Sequence, residues 1–417
     1  MRTLLTSSID SSDEHSGDIA GDGRRSPAAS VVLRTILDRG PVARSTVARL
    51  TGLSAAAVSR QCADLAQLGL VRERPARAPR SSIGRPHVPV DIDTRRHLVC
   101  GVHIAMLHCT YVLADLRGRV VAEQRVPHRD PGPDAVLDDI ADTTATFLDE
   151  YARGRRLLGV GVATGGWVDP TRGTVVRHTQ LGWTDVPVRA VLERRLGLPV
   201  RLESHSRALA RAEQLIGAHR ERARKSMVHL FVGNVVDAAL ATGGAVHHGP
   251  RSAAGDVGHL PIGAGSLLGP TVCDCGRTGC VQANVADQEM ARQAVTAGLL
   301  PRPVFADLLA ALDDGDARAV ALFRDRARLV GRAVALLLDV INPEILVVTE
   351  AGVVRHPELL AELRREVAER SHVCTDPDRT VVASSFGSGA LGAAAGSIVL
   401  DIAYANPLDL RAVPART

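Results

Sequence analysis

Between positions 30 and 92 apolar residues recur at three- and four-residue intervals in three bursts. These are Val31, Leu33, Ile36 and Leu37, then Val47, Ala48 and Leu50, then Val58, Cys62, Leu65 and Leu68. Such spacing gathers apolar side chains on one face of a helix. It predicts a first helix from a Ser30 cap to the Gly40-Pro41 break and a second over about 44–51, closed by Gly52. A third runs from a Ser54 cap to Gly69. Serine hydroxyls cap first turns, and glycine supplies the left-handed residue that ends a helix. Strand-like runs at about 70–74 and 87–92 flank an Arg/Pro-rich loop. Three helices joined by tight turns, then a two-stranded wing, make a winged helix-turn-helix. A small helical bundle with a solvated basic face would show the same spacing, so charge must separate the two.

From residue 97 the pattern alternates. Strands are predicted at 97–102, 110–114, 120–123, 157–163, 199–203, 227–232, 237–242 and 345–349. Helices are predicted at about 133–153, 187–196, 285–297, 317–340 and 388–402. Mixed strands with interleaved helices argue for an α/β body of two lobes. Residues 1–29, rich in Ser, Asp, Gly and Arg, carry too little apolar surface to offset ordering and read as a disordered tail. The expected organisation is a tail over 1–29, a winged helix-turn-helix over 30–92, a two-lobed body over 93–405 and a tail over 406–417.

Charge changes this picture. The net charge of the 417 residues is only +4. Residues 31–90 hold ten arginines against Asp38, Asp64 and Glu73, which is 10 − 3 = +7 and leaves 4 − 7 = −3 for the rest. A basic module on a mildly acidic body is expected of a nucleic-acid reader. Capped at Ser54, the third helix would offer Ala55, Ala56, Ser59 and Arg60 to a major groove, Arg60 being suited to guanine. Arg44, Arg49, Arg74, Arg77, Arg80 and Arg85 suit phosphate or minor-groove contacts. The alanines leave few base-edge hydrogen bonds, so specificity leans on Arg60, the wing and DNA shape. No unbroken apolar run approaches the ~20 residues of a membrane span, and Met-Arg-Thr-Leu-Leu-Thr-Ser-Ser is no signal peptide. The expected location is cytoplasmic, with no membrane partner.

Residues 255–280 carry the densest chemistry. His259, Cys273, Cys275 and Cys280 fall within one glycine-broken segment. Three thiolates and an imidazole form a closed four-ligand set, the composition of structural Zn2+. Gly276 and Gly279 let the backbone return so that Cys280 reaches the same ion. Inert buried cysteines are the alternative, and the flanking Asp, Gly and Arg suit a core strand poorly. The remaining cysteines, at 62, 100, 109 and 374, show no pairing pattern and are expected to be reduced.

A winged helix followed by an α/β body with Ala254-Gly255-Asp256-Val257-Gly258-His259 and Cys-x-Cys-Gly-x-x-Gly-Cys resembles the ROK family (repressors, open reading frames and sugar kinases). The resemblance spans roughly residues 30–400. Gly161-Val162-Ala163-Thr164-Gly165-Gly166-Trp167-Val168-Asp169 resembles the family's strand-loop that abuts the sugar. Leu338-Asp339-Val340-Ile341-Asn342-Pro343-Glu344 is similar to its helix-to-strand passage in the second lobe. The resemblance implies an actin-like (ribonuclease H-like) fold, a homodimer or homotetramer, a double-stranded DNA operator as partner, and a sugar or sugar-like effector. Its implied effector contacts are Gly165, Ser204, His205, Asp256, His259 and Gln282, with His259 holding zinc by one ring nitrogen and facing the ligand with the other.

The departures bear on catalysis. Kinases of this family carry an Asp-x-Gly-Gly-Thr turn where this chain has His103-Ile104-Ala105-Met106-Leu107. Their Gly-x-Gly-x-Gly turn corresponds to Gly233-Asn234-Val235-Val236-Asp237, where a carboxylate would repel a triphosphate. Their sugar-binding Asn-Asp pair corresponds to Ser204-His205. Histidine can serve as a base near neutrality, so the loss of both phosphate cradles weighs more. The expectation is a sequence-specific transcriptional regulator of the repressor branch and no enzyme. The alternative is an ATP-dependent sugar kinase with an appended DNA-binding module.

Overall fold

The three N-terminal bursts fold as α1 (Pro27–Arg39), α2 (Arg44–Thr51) and α3 (Ala55–Gln67) in a computed structural model that describes residues 27–74, 88–263 and 271–410. Gly52 closes α2 at φ +71°, and Ser54 caps α3 by accepting from the Ala57 amide. Strands β1 (Val71–Glu73) and β2 (Val90–Ile92) pair antiparallel, Val71 opposite Ile92. Ser30 is not the cap of α1: the helix begins earlier, and the Ser30 hydroxyl donates to the Tyr404 carbonyl. Of the predicted tail, residues 1–26 lie outside the described residues, as do Arg77, Arg80 and Arg85 of the loop.

The first lobe is built on β3 (His97–Ile104), β4 (His108–Asp115) and β5 (Val120–Pro127), then α4 (Pro133–Tyr151) and β6 (Arg156–Thr164). A small sheet of β7 (Trp167–Asp169), β8 (Thr174–His178) and β9 (Trp183–Val186) precedes α5 (Val188–Leu196) and β10 (Val200–Ser204). The main sheet runs β10-β6-β3-β4-β5, with an antiparallel meander on one side and two parallel strands on the other. Next come α6 (His205–Ile216) and α7 (Arg220–Ala223).

The second lobe repeats the plan. It comprises β11 (Ser226–Val232), β12 (Val236–Thr242), β13 (Ala245–Val246), α8 (Val281–Val285), α9 (Asp287–Thr296), α10 (Phe305–Asp313), α11 (Ala317–Ile341) and β14 (Ile345–Glu350). Helices α12 (Ala351–Arg355), α13 (Pro357–Arg370) and α14 (Pro377–Thr380) lead to β15 (Val381–Ala383), and α15 (Ala390–Ala405) closes the fold. Its sheet, β13-β12-β11-β14-β15, has the same mixed order as the first. Two copies of one α/β plan joined by packed helices are the two-lobed actin-like architecture that the sequence suggested.

Helix α15 lies across β3, β4 and β6 and against α6. The segment Gly387–Ala405 is long and apolar enough to cross a membrane, which a search for unbroken apolar runs passed over, yet it serves here as a largely buried core helix. Glycines make its approach possible. A Cβ on Gly161 would sit 2.0 Å from the Ala395 carbonyl oxygen, and one on Gly101 would sit 2.4 Å from the Gly396 nitrogen. Gly161→Ala is therefore expected to destabilise the protein by about 3 kcal/mol, the upper part of the usual overpacking range. A shifted denaturant midpoint with unchanged slope would record it.

The N-terminal module is not a separate bead. Leu33, Ile36, Val58 and Leu65 share one core with Val99, Val112, Leu158, Val399 and Tyr404 of the body. The stretch after α15 is no free tail up to residue 410: Pro407–Asp409 form a 3-10 turn, and Leu408 and Leu410 pack on that shared core. Ion pairs reinforce the joint. Asp38 receives Arg220 at 2.8 Å and Arg224 at 2.6 Å, and Asp401 receives Arg34 at 3.2 Å and Arg211 at 2.8 Å. Burial would raise the Asp38 carboxyl, and Arg224 and Arg220 outweigh it, holding it below its ordinary value.

Candidate functional site

Two regions carry candidate chemistry. On α3, Val58, Cys62 and Leu65 are buried while Ala55, Ala56, Ser59 and Arg60 are exposed, so the helix presents the face that its spacing predicted. Arg49 and Arg60 make no ion pair among the described residues. Other members of the basic set are engaged. Arg44 is bound to Glu73 at 2.6 Å and Arg74 to Asp91 at 2.9 Å. The Ser54 hydroxyl is used by its capping bond, 3.2 Å from the Ala57 nitrogen. The Arg44–Glu73 pair is solvent-exposed and worth little in water, so a phosphate can displace Glu73.

The second region is a cavity of about 540 Å³ between the lobes. Trp167, Arg177 and Ser204 line it from the first lobe; Asp237, Arg251, Asp256, His259 and Gln282 line it from the second. Of the expected effector contacts, Ser204, Asp256, His259 and Gln282 face this space, whereas Gly165 and His205 do not. His205 is buried at the start of α6, its ring 4.1 Å from that of Phe231 and 5.9 Å from that of His103. Its Nε2 donates to Asp237 at 2.9 Å, and the Ser206 hydroxyl donates to the other Asp237 oxygen at 2.9 Å. A histidine in this state is a cross-lobe link with no access to a ligand. Helix α6, which carries both residues, is not among the helices expected from the sequence, although Ser204 is a legible cap.

Trp167, Arg177 and Arg251 were also missed. The Trp167 indole nitrogen donates to the Arg251 carbonyl at 2.8 Å, and the Arg251 guanidinium lies 5.6 Å from the ring centre. Arg251 and Ser252 adopt left-handed conformations, φ +57° and +56°, which no side-chain pattern announces. Behind them Arg207 binds Glu203 at 2.6 Å and donates to the Ser252 and Val168 carbonyls. Burial opposes ionisation of Glu203, but His248, Arg207 and Arg211 bring it down to about 2.

At the two loops where the family's kinases hold phosphate, part of the backbone is engaged within the protein. At the first, His103 is buried with neither ring nitrogen partnered, and the Ala105 amide is spent on the His108 carbonyl. At the second, the Val236 amide donates to the Gln282 side-chain oxygen at 2.7 Å, and the Gln282 amide group donates to the Asn234 carbonyl. Gln282 thus staples this loop as well as lining the cavity.

Beside the cavity, the ligand atoms of His259, Cys273, Cys275 and Cys280 all lie within 4.8 Å of one another. Cys273 Sγ is 3.4 Å from His259 Nδ1, and Cys275 Sγ is 3.6 Å from Cys280 Sγ. Edges of about 3.4–3.8 Å are what a tetrahedral ion with bonds near 2.0–2.3 Å requires, so the donor set fits a metal. The glycines act as expected: Gly276 and Gly279 have φ +82° and +79°. Gly255 threads so close to β12 that a Cβ would sit 1.9 Å from the Ala238 carbonyl oxygen, which fixes Asp256 and His259 at the cavity wall. The Arg277 guanidinium draws the Cys275 thiol down to about 6, while burial pushes Cys280 up to about 11.

The chain is similar to known proteins along most of its length. The ROK family profile matches residues 99–399 and a MarR family profile matches residues 26–80. The transcriptional regulator Rv0485 of Mycobacterium tuberculosis is 34% identical over 393 residues, covering 91% of this chain and 86% of its own. The xylose repressor of Bacillus subtilis is 22% identical, covering 89% and 94%. A crystal structure of a ROK family transcriptional regulator, a homolog of the E. coli MLC protein, superposes with TM-score 0.73 at 23% identity, covering 92% of this chain and 97% of that one.

Proposed function

The chain belongs to the ROK family, and from that premise we propose that it is a DNA-binding transcriptional regulator of the repressor type, switched by a sugar or sugar-like effector and lacking kinase activity. The observation that carries the reading is the joint between module and body. Helix α1 shares its core with β3, β4 and α15, and its end is bound through Asp38 to α7 next to the second lobe. A change in lobe angle is therefore transmitted to α3 with no slack linker between. Effector binding switches the protein only if the ligand prefers one lobe angle over the other.

We take residues 27–92 as the reader and the rest as sensor and dimerisation body. A homodimer or homotetramer in the cytoplasm supplies the second recognition helix that a palindromic operator demands. His259, Cys273, Cys275 and Cys280 hold one zinc, whose closed ligand set makes it a brace for the cavity wall. With Nδ1 turned to Cys273, His259 keeps Nε2 for the effector. Arg60 and Ser59 supply direct readout, and Arg49, Arg44 and Arg85 supply phosphate contacts. Ser204, Asp256 and Gln282 contribute polar groups to the effector wall beside Trp167.

Two features support the absence of catalysis. The family's base position is His205, whose ring is held on Asp237, and each phosphate loop has an amide engaged within the protein, Ala105 on His108 and Val236 on Gln282. Gel shift with the gene's own upstream region tests the reading. Arg60→Ala is expected to weaken specific binding 10- to 100-fold, as loss of a bidentate guanine contact does, and to leave non-specific binding nearly unchanged. An ATP-coupled assay on hexoses and amino sugars should show no turnover; phosphate transfer by the wild type would replace this reading with the kinase alternative.

A further inference from the structure

Arg60 has unusual neighbours on the groove-facing side of α3. The exposed positions are Ala55, Ala56, Ser59, Arg60, Ala63, Ala66 and Gln67, and they form one continuous face opposite buried Val58, Cys62 and Leu65. Ser54, at the leading edge, has its hydroxyl turned back to the Ala57 amide. Gln61 and Asp64, the other polar residues of this stretch, are half-buried on the flanks. The leading turn of the reading helix therefore ends in methyl groups rather than hydrogen-bonding tips, with a single long cation one turn behind.

The major groove offers one apolar group, the C5 methyl of thymine. An alanine methyl set against it removes both from water without leaving a polar group unpaired, whereas against cytosine or adenine the same alanine would cover an amino group with nothing to accept from it. Short side chains also let the helix axis settle deep in the groove. Arg49 and Arg60, in no ion pair among the described residues, supply the positive charge that holds it there.

We propose that Ala55 and Ala56 are specificity residues that read thymine methyls, so that each half-site joins an Arg60-bound guanine to thymines close by. Ala56 and Arg60 lie one helical turn apart, about 6 Å along the axis, and base pairs repeat every ~3.4 Å. The thymines therefore fall within about two steps of the guanine. The inference rests on the DNA-binding reading above and gives it a sequence class.

The test uses the full-length, zinc-containing protein and a randomised duplex pool. After selection, the enriched duplex is resynthesised with uracil in place of each thymine in turn, which removes the methyl alone. Uracil at one or two positions per half-site, within two steps of the guanine, is expected to weaken binding about fourfold each, the value of one buried methylene-sized group. Ala55→Gly or Ala56→Gly should cost a similar factor and abolish the uracil effect at its own position. The uracil series needs no variant, so a poorly folding glycine mutant leaves it intact. A half-site tolerant of uracil at every position, or one without thymine near the guanine, overturns the inference while leaving the regulator reading standing. Failure to bind any duplex overturns the regulator reading and the inference with it.

Discussion

Cys273→Ser/Cys275→Ser should leave the purified protein without the single metal ion per chain expected of the wild type, and should lower its melting temperature by about 10 °C. The size follows from linkage. A ligand present at a thousandfold its dissociation constant stabilises the native state by about 4 kcal/mol, and each kcal/mol moves the midpoint of a lobe of this size by about 2–4 °C. Four side chains from two separated stretches, His259 and 273–280, converge beside a small apolar cluster that among the described residues is Cys273, Cys280 and Ala283. Without the ion, nothing draws these four side chains to a common point and the loop opens. Because Asp256 and His259 sit on the same wall, ligand-induced stabilisation should vanish too. Metal analysis and melting curves check both, and a metal-free wild type that melts normally would contradict the zinc assignment.

The second large effect is acid lability that begins well above the carboxylate range. His103, His178 and His229 are buried around the cleft, beside His205 and Asp237. Burial lowers all three, His178 to about 4, His229 to about 3 and His103 well below its ordinary value. Neighbouring histidines push His103 and His178 the same way, His108 and Arg125 also act on His103, and Asp237 opposes the shift of His178 and His229. The native state keeps these rings neutral while the unfolded chain takes up protons below about pH 6.5. The unfolded state then binds more protons, so stability falls as pH drops. The loss begins near 6.5 and a given ring stops contributing once pH passes its native value. Three such groups give a slope of up to about 4 kcal/mol per pH unit. His103→Leu should flatten the slope between pH 6.5 and 5 by one ring's share, up to about 1.4 kcal/mol per pH unit. It should also stabilise the protein at neutral pH, since both ring nitrogens of His103 are enclosed without partners. A slope indifferent to that substitution would rule out the cleft histidines as its source.

Much of the site was legible before any coordinates. The metal set was readable because its ligands and the glycines that turn the chain between them lie within one short stretch. The exposed face of α3 followed from spacing and one serine cap. The setting of His205 was not legible because a residue's neighbours across the cleft leave no local trace: Asp237, thirty-two positions away, holds its ring and links the lobes. Trp167 lay inside a segment already marked as sugar-facing, but its partner Arg251 is set by an unusual backbone turn that composition does not signal. The Arg44–Glu73 pair was hidden for a similar reason, since charge counting weighs a segment without saying which charges cancel in space.

Sequence alone determined most of the elements and their order, the grouping of His259, Cys273, Cys275 and Cys280, and the exposed face of α3, because each depends on interactions within a turn or two of chain: hydrophobic period, caps and glycine conformations. Tertiary structure decided what those elements do together. It merged the N-terminal helices with α15 into one core, tied His205 to Asp237, and left a cavity lined by both lobes. Those outcomes depend on contacts between residues far apart in the chain, and on whether a buried polar group finds its partner there.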